Sequence, residues 1–318
     1  MKTCVYVNVK NEKRIIEFVK YYYKIGIDYF IFFDDNSTID VKDVLIQNNV
    51  NENNYSVLYT GKRNFFYGVY NTKEHWYNEI IPLLIKNNID YVLHVDADEF
   101  LFLGKHKNIS EMIESYQPFD SLRINWLVFG SNNIIRNKTD SIIRQFDKSS
   151  SQLSNYIKCL TKVKSICSDH NSWFPSPHVL SINNNCVKKN IFNEIVNNNN
   201  ANTQDLSIKE SSKAPIYIAH YMCQDISTFI DRKVCSKIFL LVSKKFNLTD
   251  DIINLIQNNK KLFANFISKK DINDEVEINN IHATTTLPVE IIQFLKEYFY
   301  FINNNDIENK SIINFYLR

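Results

Sequence analysis

Three carboxylates, Asp96, Asp98 and Glu99, stand between two apolar runs in the segment 91–103, YVLHVDADEFLFL. The run before them is rich in β-branched and aromatic residues, which indicates a buried strand. Asp96 and Asp98 are two residues apart, so in an extended chain both side chains point to the same side. Two like charges held that close repel each other, and a bound cation would neutralise both.

Oxygen ligands of this kind favour a hard divalent ion, Mn²⁺ or Mg²⁺, which keeps coordination positions open for water and substrate phosphate. The segment therefore predicts a metal site at the end of a strand, serving a phosphorylated ligand. The alternative is a solvated turn rich in aspartate, because a D-x-D triplet is common. The strand before the triplet and the apolar run after it favour the metal site.

A second candidate metal ligand is His220, in the strand-like segment 215–222, PIYIAHYM. Imidazole is a competent ligand, and a ligand from a distant strand would fix the ion in place. A lone histidine can equally be a core or surface residue that satisfies its own hydrogen bonds. The residues alone leave both interpretations open.

The elements that must position these groups begin with a strand at 3–9, a helix at 12–25 ended by Gly26, and a strand at 27–33. This order implies a right-handed parallel crossover. Asp34 and Asp35 follow the second strand, at the edge where open α/β sheets bind ligands, so either could accept hydrogen bonds from a ribose or base. Alternatively this loop caps a helix near Val41, through Ser37, Thr38 or Asp40.

Further along, apolar periodicity predicts strands at 55–59 and 119–129 and helices at 71–86 and 109–116, with Pro82 kinking or dividing the first of these helices. From residue 226 onward the pattern is helical, at 226–246, 250–268 and 289–301. The chain therefore predicts an α/β domain over 1–235 and a helical extension over 236–318.

The composition excludes several classes of protein. The 318 residues are 44% hydrophobic with a net charge of +2, which fits a large core and gives no support for nucleic-acid binding. The sequence contains no apolar run long enough for a transmembrane segment. Its six cysteines form no C-x-x-C pair, so free thiols and a reducing, cytoplasmic location are expected.

An ordered set of short motifs resembles the GT-A glycosyltransferases, and more closely the family-2-like and family-92-like group. The motifs are KNE, FDDNSTID, HVDADEFLF, NWLVFGSN, TKVKS followed by PH, and AHY followed by STFIDRK. They extend from about Val5 to Lys233. The resemblance implies a Rossmann-like, mostly parallel sheet flanked by helices, a nucleotide-sugar donor and a divalent metal, Mn²⁺ or Mg²⁺.

Carried over by position, the resemblance assigns roles to individual residues. Asp98 would bind the metal directly, and Asp96 would contact ribose, the sugar or a water on the metal. His220 would be a further metal or diphosphate contact. The remaining assignments are Asn11 with Asp34 or Asp35 near the nucleoside, Trp126, Phe129 and Gly130 around the sugar or acceptor, and His178 in a loop that closes over it.

The chain departs from the family pattern at two places. It has Gln224-Asp225 where relatives show Lys-Ser, and Ile166-Cys167-Ser168 where they show an arginine. The diphosphate contacts must then come from other cations, for which Lys162, Lys164 and Arg63 are candidates.

In an inverting reaction a carboxylate deprotonates the acceptor hydroxyl. The candidates are Asp147, Asp225, Glu99 and Asp169, of which Asp169 is favoured because it lies in an aromatic loop after the sheet. The predicted activity is thus metal-dependent transfer of a sugar from a UDP-sugar to a glycan, protein or lipid acceptor.

Two other functions use the same sheet and acidic segment. A sugar-phosphate nucleotidylyltransferase should carry a glycine-rich phosphate loop near the first strand, which this sequence lacks. A non-catalytic nucleotide- or carbohydrate-binding module would bind without metal, and similarity of fold alone does not distinguish it from an enzyme.

Overall fold

The computed structural model describes residues 1–59, 75–130, 132, 134, 139, 141–167, 178–197, 202–222, 224, 307–308, 312 and 314. The chain divides into two compact units. The first comprises residues 1–127, 152–220 and 314–318, and the second comprises 128–151 and 221–313. Within the described part of the chain, none of the helices combines the length and the apolar character that crossing a bilayer requires.

The regular elements are numbered in chain order. The strands are β1 (Thr3–Val9), β2 (Tyr29–Asp34), β3 (Tyr55–Tyr59), β4 (Tyr91–Asp96), β5 (Glu99–Phe102), β6 (Ser121–Val128), β7 (Lys148–Ser149), β8 (Ile157–Lys162), β9 (Lys188–Lys189), β10 (Tyr217–His220) and β11 (Ile307–Glu308). The α-helices are α1 (Ile15–Lys24), α2 (Val41–Gln47), α3 (Ile81–Lys86), α4 (Ile109–Tyr116) and α5 (Ile142–Gln145).

The main sheet runs in the order β3-β2-β1-β4-β8-β6-β10-β5, with β9 paired to β6. Strands β3, β2, β1 and β4 are mutually parallel, and the register of β1 on β4 ends with Asn8 opposite Asp96. Beyond β4 the sheet contains antiparallel pairs: β8 is antiparallel to both β4 and β6, and β10 is antiparallel to β5. The carboxyl ends of β4 and β6 and the amino end of β8 therefore lie side by side. The side of the sheet formed by these strand ends is called its carboxyl edge.

Helical segments cover both faces of the parallel strands. On one face Trp76, Ile80 and Leu84 pack in a buried cluster with Ile31 and Val92. On the other face Tyr23 of α1 meets Phe30, with ring centroids 4.9 Å apart. This alternation follows from the period of two along a strand, which sends Phe30 and Ile31 to opposite sides. The mixed, mostly parallel, helix-flanked sheet confirms the predicted Rossmann-like fold class.

Several local predictions are confirmed. Gly26 ends the α1 segment at φ +94°, a left-handed conformation that favours glycine. Asp40 is the N-cap of α2, since its side chain accepts a hydrogen bond from the Lys42 backbone N–H at 2.7 Å. Of the helix predicted at 71–86, residues 75–86 are described and helical: a π-helical turn at Trp76–Ile80 continues into α3, in which Pro82 occupies the first turn.

One geometric expectation is wrong. Asp96 ends β4, but Ala97 and Asp98 form a turn before β5 begins at Glu99, so the D-x-D triplet is not an extended chain. The two aspartates accordingly differ in exposure: the Asp98 side chain is 3% exposed and that of Asp96 43%. The turn arises because β5 does not continue beside β4. It pairs with β10 instead, as the last strand in the order of the sheet.

In the second unit the described elements are few. Helix α5 leads into β7, which pairs antiparallel with β11. The helices predicted at 226–246, 250–268 and 289–301 lie outside the described residues. The division of the chain at residue 235 stays a prediction.

Candidate functional site

The turn between β4 and β5 is tied to itself and to α1. The backbone N–H of Asp96 donates to Glu99 Oε2 at 2.8 Å, and the Glu99 side chain is fully buried. The hydroxyl of Tyr22 donates to the Glu99 carbonyl at 3.0 Å, and that of Tyr21 to the Leu101 carbonyl at 2.7 Å. Glu99 therefore shapes the turn that presents the two aspartates.

A buried lysine, Lys158 of β8, is the principal residue that the sequence prediction missed. Its Nζ lies 2.9 Å from Asp96 Oδ2 and 3.4 Å from Glu99 Oε2, and its side chain is 0% exposed. The candidate cations named from the sequence were Lys162, Lys164 and Arg63. The signal that could have found it is a single lysine inside the otherwise apolar strand segment IKCL.

Proximity to this ammonium group changes the protonation of its neighbours. Withdrawal from water alone would raise the pKa of Asp96, but the charge and hydrogen bond of Lys158 outweigh it and hold that pKa below its ordinary value. Burial raises the pKa of Glu99 although Lys158 opposes the shift. For Lys158 burial lowers the pKa, but the carboxylates of Asp96 and Glu99 reverse the direction and raise it. The lysine is thus held as a cation.

His220 is brought beside Asp98 by strand pairing. In the antiparallel register of β10 on β5, His220 is opposite Glu99. Its Nε2 lies 3.7 Å from Asp98 Oδ1 and its Nδ1 lies 4.0 Å from Glu99 Oε1, and the histidine is 4% exposed. Two of the residues predicted as metal ligands, although 122 positions apart in the chain, are therefore near neighbours.

Asp98 and His220 could hold a divalent ion as two of its ligands. An ion about 2.1 Å from each ligand atom, with the two bonds about 90–110° apart, separates those atoms by about 3.0–3.5 Å. The observed separation of 3.7 Å is longer than that range, so the two side chains would have to move slightly closer to share an ion. Within the described ranges no group of three or more His, Cys, Asp or Glu residues is arranged for an ion. The remaining ligands of an ion at this pair would come from a substrate phosphate or water.

Aromatic rings line the next part of the sheet edge. Trp126 of β6 contacts His220 edge-on, with centroids 4.3 Å apart, and His178 at 5.1 Å. On its other side Trp126 stacks with Tyr156 at 5.3 Å and an interplanar angle of 27°, and Tyr156 is 50% exposed. His178 is fixed by its Nδ1, which lies 2.9 Å from the Ile157 carbonyl oxygen. These rings and the Asp98–His220 pair form one continuous wall within the first unit.

The residues predicted near the nucleoside hold two loops together. Asn11 has φ +51°, accepts from the Thr38 N–H at 2.7 Å and donates its own N–H to Ser37 Oγ at 2.9 Å. Asp34 accepts from the N–H groups of Ser37 and Val41, at 2.8 and 3.3 Å. Asp35 pairs with Lys10 at 3.0 Å. A nucleoside contact by these side chains stays a prediction.

Three further predicted site residues, Lys164, Phe129 and Gly130, lie in described segments, and their roles stay predictions. Lys164 is exposed in a 3-10 turn that follows β8. Phe129 and Gly130 belong to the second unit, where Phe129 packs on Tyr221 and Gly130 donates its N–H to the Lys148 carbonyl at 2.9 Å. The predicted base Asp169 lies outside the described residues.

Comparison with known proteins gives one match at the level of a family. The model of glycosyltransferase family 92 matches residues 1–286. A search of curated proteins finds no match. Among solved structures, the chain is similar to HddC from Yersinia pseudotuberculosis at 12% identity and a TM-score of 0.34, over 60% of this chain and 89% of that one. It is also similar to a UDP-glucose pyrophosphorylase complexed with UDP-glucose, at 11% identity and a TM-score of 0.25, over 57% and 74% of the two chains.

Proposed function

This chain belongs to glycosyltransferase family 92, and on that premise we propose that it transfers a sugar from a UDP-sugar to an acceptor hydroxyl with the aid of a divalent cation. UDP-galactose, UDP-glucose and a UDP-N-acetylhexosamine are the proposed donors. The acceptor is a glycan, protein or lipid hydroxyl, the proposed stereochemical outcome is inversion, and the proposed location is cytoplasmic.

The observation that carries this proposal is the approach of Asp98 Oδ1 and His220 Nε2 to 3.7 Å at the carboxyl edge of the sheet. Open α/β sheets bind their ligands at that edge. A Mn²⁺ or Mg²⁺ ion held by Asp98 and His220 would supply positive charge to a departing nucleoside diphosphate.

The chain's own residues then act around the donor. Asp96, which Lys158 orients and keeps ionised, retains an exposed portion that can accept hydrogen bonds from ribose or sugar hydroxyls. Trp126 and Tyr156 offer aromatic surface against which a sugar ring can pack. Asp169 stays the proposed base that takes the proton of the acceptor hydroxyl.

The lysine beside Asp96 supports a revised account of the diphosphate site. The departures at Gln224-Asp225 and Ile166-Cys167-Ser168 left that site without the cations usual in relatives. Lys158 is a buried ammonium group in contact with the acidic turn, whereas Lys164 is exposed. Because its Nζ is buried against Asp96 and Glu99, we propose that Lys158 acts on the diphosphate site only indirectly, by orienting Asp96 and keeping it ionised.

Thermal unfolding with UDP, with Mn²⁺ and with both together tests the proposal. A ligand of the native state raises the melting temperature, and interdependent binding raises it most when both are present. A parallel screen of nucleotide-sugar hydrolysis, with and without EDTA, would name the donor. Release of pyrophosphate from UTP and a sugar phosphate would instead indicate a nucleotidylyltransferase. Binding of UDP without metal and without turnover would indicate a non-catalytic module.

A further inference from the structure

Lys158 meets the acidic turn at Asp96 and Glu99, two carboxyl groups that could otherwise attract a cation from solution. We propose that Lys158 is a resident cation that occupies the Asp96–Glu99 side of the cluster and confines the site to one divalent ion, at Asp98 and His220. The inference rests on the proposed metal-dependent function and adds to it the charge arrangement of the site.

The contacts of Lys158 define the position that it fills. Its Nζ is 2.9 Å from Asp96 Oδ2 and 3.4 Å from Glu99 Oε2, while Glu99 Oε2 also accepts the Asp96 N–H. The Trp126 ring lies on another side of the ammonium, with its centroid 6.0 Å away. A divalent ion bound to Asp96 Oδ2 would face this ammonium at short range, where the repulsion between two cations is large.

The formal charges agree with a single ion. Asp96, Asp98 and Glu99 contribute at most three negative charges, since burial raises the pKa of Glu99, and Lys158 contributes one positive charge. No more than two negative charges therefore remain for a divalent cation to balance. Two-metal sites hold ions about 3.5–4 Å apart, bridged by carboxylates. Here the ammonium group of Lys158 lies between Asp96 and Glu99, so these carboxyl groups have a positively charged partner before any metal binds.

Replacement of Lys158 by Met gives a test with two readouts of opposite sign. In EDTA the melting temperature of Lys158→Met should fall, because the carboxylates of Asp96 and Glu99 lose their partner. The affinity for Mn²⁺, measured by titration calorimetry with and without UDP, should rise about tenfold, the size expected when one positive charge a few ångströms from the ion is removed in a well-screened site. A lysine with a merely structural role would lower both stability and Mn²⁺ affinity.

Lys189 provides the matched control. It is also buried, on β9, and donates to the Tyr116 carbonyl at 2.9 Å rather than to the acidic turn. Lys189→Met should lower the melting temperature and leave the affinity for Mn²⁺ unchanged.

A second variant keeps the test decisive if Lys158→Met does not fold. In the double variant Lys158→Met, Glu99→Gln the formal charge of the cluster stays at two negative charges, so the apo protein should recover most of the lost melting temperature. Its Mn²⁺ affinity should still exceed that of the wild type, because the cation beside Asp96 is gone. Equal or weaker Mn²⁺ affinity in the folded variant would overturn the inference.

The same titrations separate this inference from the proposed function. Absence of Mn²⁺ binding to the wild type and to both variants would overturn the resident-cation account. Nucleotide-sugar hydrolysis that persists in EDTA would then show that the glycosyltransferase proposal survives without a metal. Hydrolysis that requires Mn²⁺, combined with unchanged affinity in the Lys158 variants, would overturn the inference alone.

Discussion

The two halves of the main sheet use polar residues differently. In the parallel half, β3-β2-β1-β4, the buried Asp34 accepts backbone N–H groups and so serves the loop that it belongs to. In the antiparallel half, β8-β6-β10-β5, Lys158, Glu99 and His220 are buried together from three different strands. The parallel half brings Asp96 to the site at the end of β4, and the antiparallel half supplies the buried charged and titratable side chains that lie around it.

This contrast has an energetic meaning. Burial of a charge costs several kcal/mol unless partners compensate it, and replacement of a buried ion pair by apolar residues is often neutral or stabilising. A buried lysine between two carboxylates is therefore weak evidence for stability and better evidence for a site. The largest effects of substitution should accordingly fall on activity in the antiparallel half and on stability in the parallel half.

The largest expected effect is that of Asp98→Asn on turnover. Removal of this charge should lower nucleotide-sugar hydrolysis about 100- to 1,000-fold, because stabilisation of the leaving group is lost. The melting temperature should change little, since asparagine has nearly the same shape. Asp28→Asn is the control. The Asp28 carboxylate accepts the Thr3 N–H at 2.7 Å, at the opposite ends of the strands from Asp98, so this substitution should leave hydrolysis unchanged. Full Mn²⁺-dependent turnover by Asp98→Asn would show that the metal assignment is wrong.

Leu84→Ala should have the reverse profile. Leu84 of α3 is fully buried in the cluster that covers one face of the parallel strands. Its truncation should lower the free energy of unfolding in urea by about 2–5 kcal/mol through lost contacts and a residual cavity. The kcat of the folded fraction should stay near that of the wild type. If the kcat of Leu84→Ala fell strongly although the protein was fully folded, the proposed contrast between the two halves of the sheet would be wrong.

A pH-dependent effect is expected at His94 in β4. Both of its ring nitrogens are buried without a hydrogen-bond partner among the described residues, and burial, followed by the charge of Lys158, lowers its pKa well below the ordinary value. The unfolded chain binds a proton at this residue below about pH 6.5, whereas the folded chain does not, so stability is lost as the pH falls.

His94→Phe should remove that loss. Below about pH 6.5, the free energy of unfolding of the variant should rise relative to that of the wild type by up to about 1.4 kcal/mol for each pH unit. This rise should end at the lowered pKa that His94 has in the folded wild type. Chemical denaturation at a series of pH values measures the difference. If the free energies of unfolding of the variant and the wild type changed in parallel from pH 7 to pH 5, the lowered pKa of His94 would be contradicted.

The smallest expected effect is at the helix cap Asp40. Asp40→Ala removes the acceptor for the Lys42 N–H and should cost about 1 kcal/mol of stability without a change in kcat. Asp40→Asn retains a capping oxygen and should stay within a few tenths of a kcal/mol of wild type. Equal destabilisation by the two substitutions would indicate that the contact of Asp40 with Tyr59, and not the cap, dominates.

Particular elements show how far the sequence could be interpreted. Strand β1, helix α1 and strand β4 follow from runs of apolar residues with a clear period, and Gly26 and Asp40 mark helix boundaries by their local chemistry. The D-x-D triplet and His220 were identified as a candidate pair, although the turn at Ala97-Asp98 was expected to be extended. The contact of Lys158 with Asp96 spans 62 residues and depends on the insertion of β8 between β4 and β6.

By itself the sequence determined the alternation of strand and helix, the acidic segment and the family, because local periodicity and short motifs are written into consecutive residues. The tertiary structure alone decided which of the many lysines and histidines meet that segment. Strand order and register are set by pairing between distant segments, and a residue's exposure and pKa depend on what that pairing places around it. Asp98 and His220 became neighbours, and Lys158 became a buried cation, through that pairing.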